Sequence, residues 1–268
     1  MNKSLILYGS IGYTFLINTY DTTKSILIFS DNHAKLPYCK NYKLISEWLE
    51  EKTDSDILLE EVPRNNVMLK ELFDNSDHTQ QLKELFINNP KLISGVDIRP
   101  FLIKFSWELL EIVDLPYITL NEYLEEIDKF FNFTNDNIKK LNKYYNKIYI
   151  CNSRLYIQFK IIKNIYLNYR KRYENYLNDL IFIIYYENIT ILDEFNNILD
   201  NIMEFYVLLN VSICKKNNII IHCGLLHSEK IIFWLSNLYY YNIIEKKGIN
   251  NTEELDTIPI KDGCITLP

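Results

Sequence analysis

The chain has 268 residues, of which 48% are hydrophobic and 24% are charged, and its formal net charge is −6 at pH 7. These proportions are typical of a globular protein and exclude a disordered tail, a collagen-like fibre and a disulfide-stapled miniprotein. The acidic balance gives the chain as a whole no electrostatic attraction for nucleic acid, so we expect no nucleic-acid partner.

The first third of the chain alternates short β-rich runs with helical patterns. Residues 5–8 and 13–19 predict a strand pair that turns at Gly9 and Gly12. Continuous apolar runs, which are typical of strands buried on both faces, predict further strands at residues 25–29, 56–59 and 91–98. Helical spacing of apolar residues predicts helices at residues 41–52, 65–73 and 78–88.

The rest of the chain changes character twice. Residues 101–211 are dense in Ile, Tyr, Asn and Lys and predict long helices, after which a strand (218–222), a helix (228–238) and a final strand (239–244) are expected. Alternation of strands and helices predicts an α/β fold with a largely parallel mixed sheet flanked by helices. We expect one domain with a core of about 1–110 and 212–268 and a helical insertion of about 111–211.

The cysteines and the apolar runs indicate the compartment. The five cysteines are odd in number and form no Cys-x-x-Cys pair, so we expect free thiols in a reducing compartment; they are Cys39, Cys151, Cys214, Cys223 and Cys264. The N-terminal residues do not resemble a secretory leader, and no apolar run approaches the roughly 20 residues that span a bilayer. We therefore expect a cytoplasmic protein without membrane contact.

Polar residues follow each predicted buried strand, where the sites of open parallel sheets are built. Their positions in the sequence are Asp31 and His33, Glu60 and Glu61, Asp97 and Arg99, and His222 and His227. Two histidines and one or two carboxylates that converge there match the ligand set of a catalytic site for a divalent metal ion. Such an ion activates water and polarises a carbonyl or phosphoryl oxygen.

Each of these residues also has a simpler interpretation. His33 could be a loop histidine held by Asp31, the two glutamates a surface pair, and Asp97 a partner of Arg99 alone. His222 could be a core histidine with its hydrogen bonds satisfied, and His78 a helix N-terminal residue without a role. Cys223 beside His222 is a weaker nucleophile candidate, since the sequence indicates no third orienting group. The basic and aromatic stretch 160–172 favours a solvated helix face over a nucleic-acid surface.

At these positions the chain resembles the clan of the erythromycin esterases, the haem-binding lipoprotein ChaN and the TraB/Tiki proteins. The late G-x-x-H motif of that clan is present at residues 224–227, and the early one reads Ser-Asp-Asn-His at residues 30–33. Glu60 and Glu61 match its glutamates, and residues 95–97 look like the third-strand segment of the esterase branch. The arginine-led motif of the clan is replaced by Asp-Asn-Ile-Met at residues 200–203.

The resemblance implies an α/β core split by a helical insertion and a hydrolase site that uses a metal or general acid–base chemistry. In this hypothesis His33, Glu60 and His227 hold Mn²⁺, Co²⁺ or Zn²⁺. Glu61 is the general base, and Asp97 and Arg99 complete the catalytic set, with Arg99 positioning the substrate. The expected substrate is a small molecule or peptide that is cleaved at an amide, ester or lactone bond.

Two alternative interpretations stay open. Asp31-Asn32-His33 resembles the opening D-x-H motif of metallophosphoesterases, although the chain contains no G-N-H-[ED] segment. Residues 30–38 and 60–64 also look like uncharacterised proteins of large DNA viruses. This likeness favours a viral protein of the host cytoplasm or virion. The replaced arginine-led motif and the insertion rich in Tyr, Asn and Lys, which offers aromatic surface for a partner, favour an inactive binding or structural component with the same fold.

Overall fold

The computed structural model describes residues 4–63, 77–89, 91–102, 118–132 and 153–267. The chain divides into two compact units. The first unit combines Met1–Val96 with Val207–Pro268, and the second unit is the intervening Asp97–Tyr206. The predicted α/β class is confirmed: a mixed and mostly parallel sheet lies among helices.

Nine strands form two sheets within the described residues of the first unit. In chain order they are β1 (Leu5–Tyr8), β2 (Gly12–Asn18), β3 (Ser25–Asp31), β4 (Lys43–Leu44), β5 (Ser55–Leu59), β6 (Ile93–Gly95), β7 (Asn218–Gly224), β8 (Tyr241–Gly248) and β9 (Cys264–Leu267). The larger sheet has the order β6-β5-β7-β3-β2-β8. Strands β6, β5, β7 and β3 run parallel, whereas β2 is antiparallel to both of its neighbours, β3 and β8. The carboxyl ends of β3, β5 and β7 therefore lie side by side.

The predicted pairing of the first two strands is wrong. Strand β1 joins a separate small sheet, parallel to β4 and antiparallel to β9. The turn between β1 and β2 explains this, because its backbone N–H groups bond elsewhere: Gly9 donates to Gly263 O and Ile11 donates to Ser30 O. The buried Ser10 hydroxyl lies 2.7 Å from Gly12 O and 2.9 Å from Ser30 O, which holds the crossing between the sheets.

The helices agree with most of the sequence predictions. In chain order they are α1 (Ile45–Glu50), α2 (Asp77–Asn88), α3 (Leu120–Asn132), α4 (Ser153–Arg172), α5 (Ile181–Glu187), α6 (Ile189–Ile213), α7 (Leu225–Asn237) and α8 (Thr252–Thr257). The helix predicted at 65–73 lies outside the described residues. The strand expected to be the last, β8, is followed by α8 and β9, so that expectation is wrong.

Side chains of β3 alternate between two differently covered faces of the larger sheet. Phe29 packs into a core with Trp48 of α1, Phe86 of α2 and Ile265 of β9. Each of these large side chains contributes about 1.5–3 kcal/mol through burial. Ser30 points the opposite way, where its hydroxyl lies 2.8 Å from that of Ser228 on α7. Residues at the end of β3 can therefore reach both α2 and α7.

The cysteines correct the expectation that all thiols are free. Cys39, in the segment after β3, forms a disulfide with Cys264 of β9 across 225 residues of sequence. Cys214 and Cys223 are free, and Cys223 is buried. None of the helices within the described ranges combines the length and apolar character that a bilayer crossing requires.

The described part of the second unit is a set of helices joined by aromatic packing. Phe131 of α3 stacks on Tyr166 of α4, with ring centroids 4.9 Å apart. The basic stretch at the end of α4 is occupied by ion pairs, since Arg170 binds Asp128 and Arg172 binds Glu194. These pairs agree with a solvated helix face.

Candidate functional site

Five side chains from separate elements meet at the carboxyl ends of the parallel strands in the first unit. Asp31 is the last residue of β3, and His33 follows two residues later. Glu60 follows β5, His227 lies in the first turn of α7, and His78 lies in the first turn of α2. The structure therefore brings His33, Glu60 and His227 together, as the sequence predicts.

The Glu60 carboxylate lies between two imidazoles. Its Oε2 is 3.6 Å from His33 Nε2, and its Oε1 is 3.5 Å from His227 Nε2. The backbone N–H of Gly224 donates to Oε2 over 2.7 Å. Because Gly224 is the N-cap of α7, the carboxylate also experiences the favourable field of the helix N-terminus.

Position 224 requires glycine because the His33 ring and the Glu60 carboxylate approach its backbone closely. A Cβ atom at this position would lie 2.8 Å from His33 Nε2 and 3.4 Å from Glu60 Oε2. Contacts under 3.0 Å are not tolerated without movement, so a larger residue would displace His33 from the carboxylate. The glycine of the G-x-x-H motif thus makes room for the first histidine, while His227 supplies the second.

Asp31 is 1% exposed and contacts two histidines through one oxygen. Its Oδ2 lies 3.0 Å from His33 Nδ1 and 2.9 Å from His78 Nε2. His33 is thus held by Asp31, as the simpler interpretation of this histidine predicts. The contact uses Nδ1, so the other ring nitrogen of His33 is the one directed at Glu60.

The charges of this cluster reinforce one another. Burial acts to raise the pKa of Asp31, but hydrogen bonds and charge from His33 and His78 outweigh it and hold the pKa far below its usual range. Burial acts to lower the pKa of His33, yet hydrogen bonds and charge from Asp31 and Glu60 raise it to about 10. Without a bound cation, His33 is therefore positively charged at neutral pH.

His78 has a buried contact that the sequence did not indicate. His78 does begin a helix as predicted, but it is 2% exposed and binds Asp31. His222 is a core histidine, as expected: its Nε2 lies 2.8 Å from Gly9 O, and burial lowers its pKa. One signal could have identified His78, because the chain has only four histidines and all four belong to the first unit.

Asp97 and Arg99 belong to the second unit, where they bind each other. Arg99 Nε lies 2.8 Å from Asp97 Oδ1, and Arg99 Nη2 lies 2.9 Å from Asp97 Oδ2. Arg99 Nη1 also lies 2.8 Å from Oδ1 of Asp200. The pair of Asp97 and Arg99 given by the simpler interpretation is thus present, and Arg99 binds a second carboxylate besides it.

We expect Arg99→Met to lower the free energy of unfolding by about 1–3 kcal/mol, because Asp97 and Asp200 both lose a charged donor. Urea unfolding measures this, with Lys171→Met on an exposed position as the control. Unchanged stability together with a loss of substrate turnover would instead assign Arg99 to substrate binding.

Glu61, the predicted general base, follows Glu60 in a tight turn. Its backbone N–H donates to Leu59 O over 2.7 Å, and the residue is half-buried. This turn keeps both glutamates at the end of β5. Val96, after β6, donates to the same carbonyl over 2.9 Å and closes this side of the cluster.

The donor set fits a divalent metal ion in its chemistry. Two imidazole nitrogens and a carboxylate are a common catalytic zinc set, whose donors lie roughly 3.3 Å apart when bond lengths are about 2.0–2.2 Å. Each imidazole lies 3.5 or 3.6 Å from Glu60, but each faces a different carboxylate oxygen, His33 facing Oε2 and His227 facing Oε1. Among the residues that the structure describes, no three His, Cys, Asp or Glu side chains already have the geometry of a metal group.

Comparison with protein-family models, with curated proteins and with solved structures finds no match to this chain. The resemblance to the erythromycin esterase and Tiki clan therefore depends on the short motifs alone. The geometry of the cluster is the stronger guide to the chemistry of the site.

Proposed function

We propose that the protein is a metal-dependent hydrolase of amide, ester or lactone bonds, with His33, Glu60 and His227 as the metal ligands. The observation that supports this most is the position of Glu60, whose two oxygens lie 3.6 and 3.5 Å from the Nε2 atoms of the two histidines. A divalent ion bound there would supply a Lewis acid that polarises the scissile carbonyl and activates water.

The surrounding residues have separate tasks in this proposal. Asp31 contacts His33 at Nδ1, which fixes the ring and leaves Nε2 for the cation; such outer carboxylates are typical of metal-bound histidines. The N–H of Gly224 orients the Glu60 carboxylate. Glu61 is the proposed general base that accepts a proton from water. Asp97 and Arg99 have no part in the proposal.

The position of Asp31 favours this proposal over a metallophosphoesterase. In the D-x-H alternative, Asp31 and His33 would both be metal ligands. The Asp31 side chain is instead buried against the Nδ1 side of His33 and against His78, so it supports an imidazole.

Metal titration tests the proposal. The purified full-length chain is treated with chelator and titrated with Co²⁺, Mn²⁺ and Zn²⁺ by calorimetry, and Co²⁺ is also followed by its visible absorption. We expect one bound ion, and we expect His33→Ala or His227→Ala to weaken binding by more than the about 10–100-fold typical of supporting residues. Glu61→Gln is the matched control, because it should retain metal affinity and lose turnover of a nitrophenyl ester or a lactone. A wild-type chain that binds none of the three ions contradicts the proposal.

One observation favours a metal-independent version as the second candidate. His33 lies between two carboxylates, with Nδ1 3.0 Å from Asp31 Oδ2 and Nε2 3.6 Å from Glu60 Oε2, so a charged His33 could act as a general acid or stabilise an oxyanion without a cation. Ester or lactone hydrolysis that persists in excess chelator and is lost in His33→Ala would establish this version and exclude the first.

A further inference from the structure

We infer that His78 is a positioning residue of the same site: it fixes the Asp31 carboxylate and thereby sets the direction in which His33 presents Nε2. The expected effect of His78 on metal binding rests on the proposed function. The contacts among His78, Asp31 and His33 do not depend on that proposal. His78 contacts the cluster through Asp31, so its effect on His33 passes through that carboxylate.

The shared oxygen couples the two histidines. His33 Nδ1 and His78 Nε2 lie 3.0 and 2.9 Å from the same Asp31 atom, Oδ2. Any rotation of the carboxylate therefore changes both contacts together. His33 depends on this support because it lies beyond the strand with a left-handed backbone (φ 54°), which is costly for a residue other than glycine.

The His78 side chain is held by packing as well as by Asp31. It lies in the first turn of a 12-residue helix, and its ring packs edge-on against the buried Tyr8, with centroids 5.8 Å apart. Gly9 comes so close that a Cβ there would lie 3.2 Å from His78 Cβ, and it has a backbone (φ 113°) that favours glycine. Packing against Tyr8 and Gly9 thus restrains His78 in addition to its contact with Asp31.

The hydrogen on His78 can be assigned from its surroundings. Nδ1 is buried and has no hydrogen-bond partner among the described residues, whereas Nε2 lies beside Asp31. A buried N–H without an acceptor is costly, so the hydrogen belongs on Nε2 and His78 donates to Asp31. A side chain with a donor at that position should replace His78, and one without it should not.

The test compares side chains that differ in reach. The amide of Gln reaches the position of the imidazole Nε2, whereas Asn is one methylene shorter and Leu has no donor. We expect His78→Gln to bind Co²⁺ within about threefold of wild type, and His78→Asn and His78→Leu to bind about tenfold more weakly. Asn250→Ser is the control, since Asn250 is also buried but its side chain bonds Thr14, Lys247 and Gly248 instead, and it should bind Co²⁺ as wild type does.

A second readout needs no metal. Long-range ¹H–¹⁵N spectra of the metal-free protein report the chemical environment of both ring nitrogens of His33. These resonances should change in His78→Asn and His78→Leu but not in His78→Gln or Asn250→Ser. The inference is overturned if His33 is unchanged in all variants, or if His78→Gln or Asn250→Ser perturbs it as strongly as His78→Leu. If the wild type binds no metal, the proposed function fails and the spectra alone decide the role of His78.

Discussion

Replacing Asp31 by alanine is expected to lower the free energy of unfolding of the metal-free protein by about 3–5 kcal/mol, the usual cost of removing one partner from a buried ion pair. The carboxylate is buried, and two imidazoles share its Oδ2. Without it, His78 loses the acceptor of its Nε2 hydrogen and His33 loses its Nδ1 contact. Urea unfolding in the presence of chelator measures the loss.

The pH dependence of the same variant gives a sharper result. The pKa of His33 is about 10 in the folded protein, above the value near 6.5 of an unfolded histidine. The resulting stabilisation is complete below about pH 6.5 and is lost as the pH rises toward 10. Asp31, whose pKa is lowered, stabilises above about pH 3.9 and loses this effect as the pH falls below that value. Wild-type stability should therefore decline between about pH 6.5 and 10, and that decline should be shallower in Asp31→Ala.

Glu51→Gln is the control for both measurements. Glu51 forms an ion pair with Lys43 on the surface and is 66% exposed, so its loss should cost less than about 1 kcal/mol and leave the pH profile unchanged. An Asp31→Ala profile as steep as that of the wild type would show that His33 owes its charge to Glu60 alone.

Reduction of the Cys39–Cys264 disulfide should lower the free energy of unfolding by about 2–5 kcal/mol, because the bond closes a long loop of the unfolded chain. The bond also ties the segment after His33 to β9, together with two hydrogen bonds to backbone carbonyls: Gly263 N donates to Pro37 O, and Tyr8 Oη donates to Leu36 O. Cys39 and Cys264 are both half-buried, so a reductant can reach them.

The cysteine experiment uses the double variant Cys39→Ser with Cys264→Ser. Reductant should shift the wild type to the stability of the double variant and should leave the double variant unchanged. Cys214→Ser is the control, since Cys214 is a free thiol, and it should respond to reductant as the wild type does. If wild-type unfolding is insensitive to reductant, the disulfide does not form in solution and the expectation of free thiols returns.

Much of the α/β core can be predicted from local patterns in the sequence. Continuous apolar runs identify β3, β5 and β7 to within two residues, because strands covered on both faces need apolar side chains at every position. The antiparallel partner of β1 could not be predicted, since it is β9, at the opposite end of the sequence. The Cys39–Cys264 pair was missed for the same reason, as spacing along the chain does not report proximity in the fold.

The candidate site was predictable where it lies at strand ends. His33, Glu60 and His227 each follow a predicted strand, and parallel strands bring their carboxyl ends to one edge. His78 was not predictable in this way, because it reaches the cluster from a helix after residues that carry no strand signal. Asp97 and Arg99 follow β6 by the same rule, but their bidentate contact with each other belongs to the second unit.

The discontinuity of the first unit has a consequence for synthesis on the ribosome. Val96 and Val207 bound an intervening stretch whose translation takes roughly 5–20 s at typical rates. During that interval β3 and β5 have been made, but β7, which lies between them in the sheet, has not. Until β7 is made, the edges of β3 and β5 that will pair with it are open to incorrect pairing. We therefore expect the yield of folded protein to depend on chaperones that bind extended apolar segments.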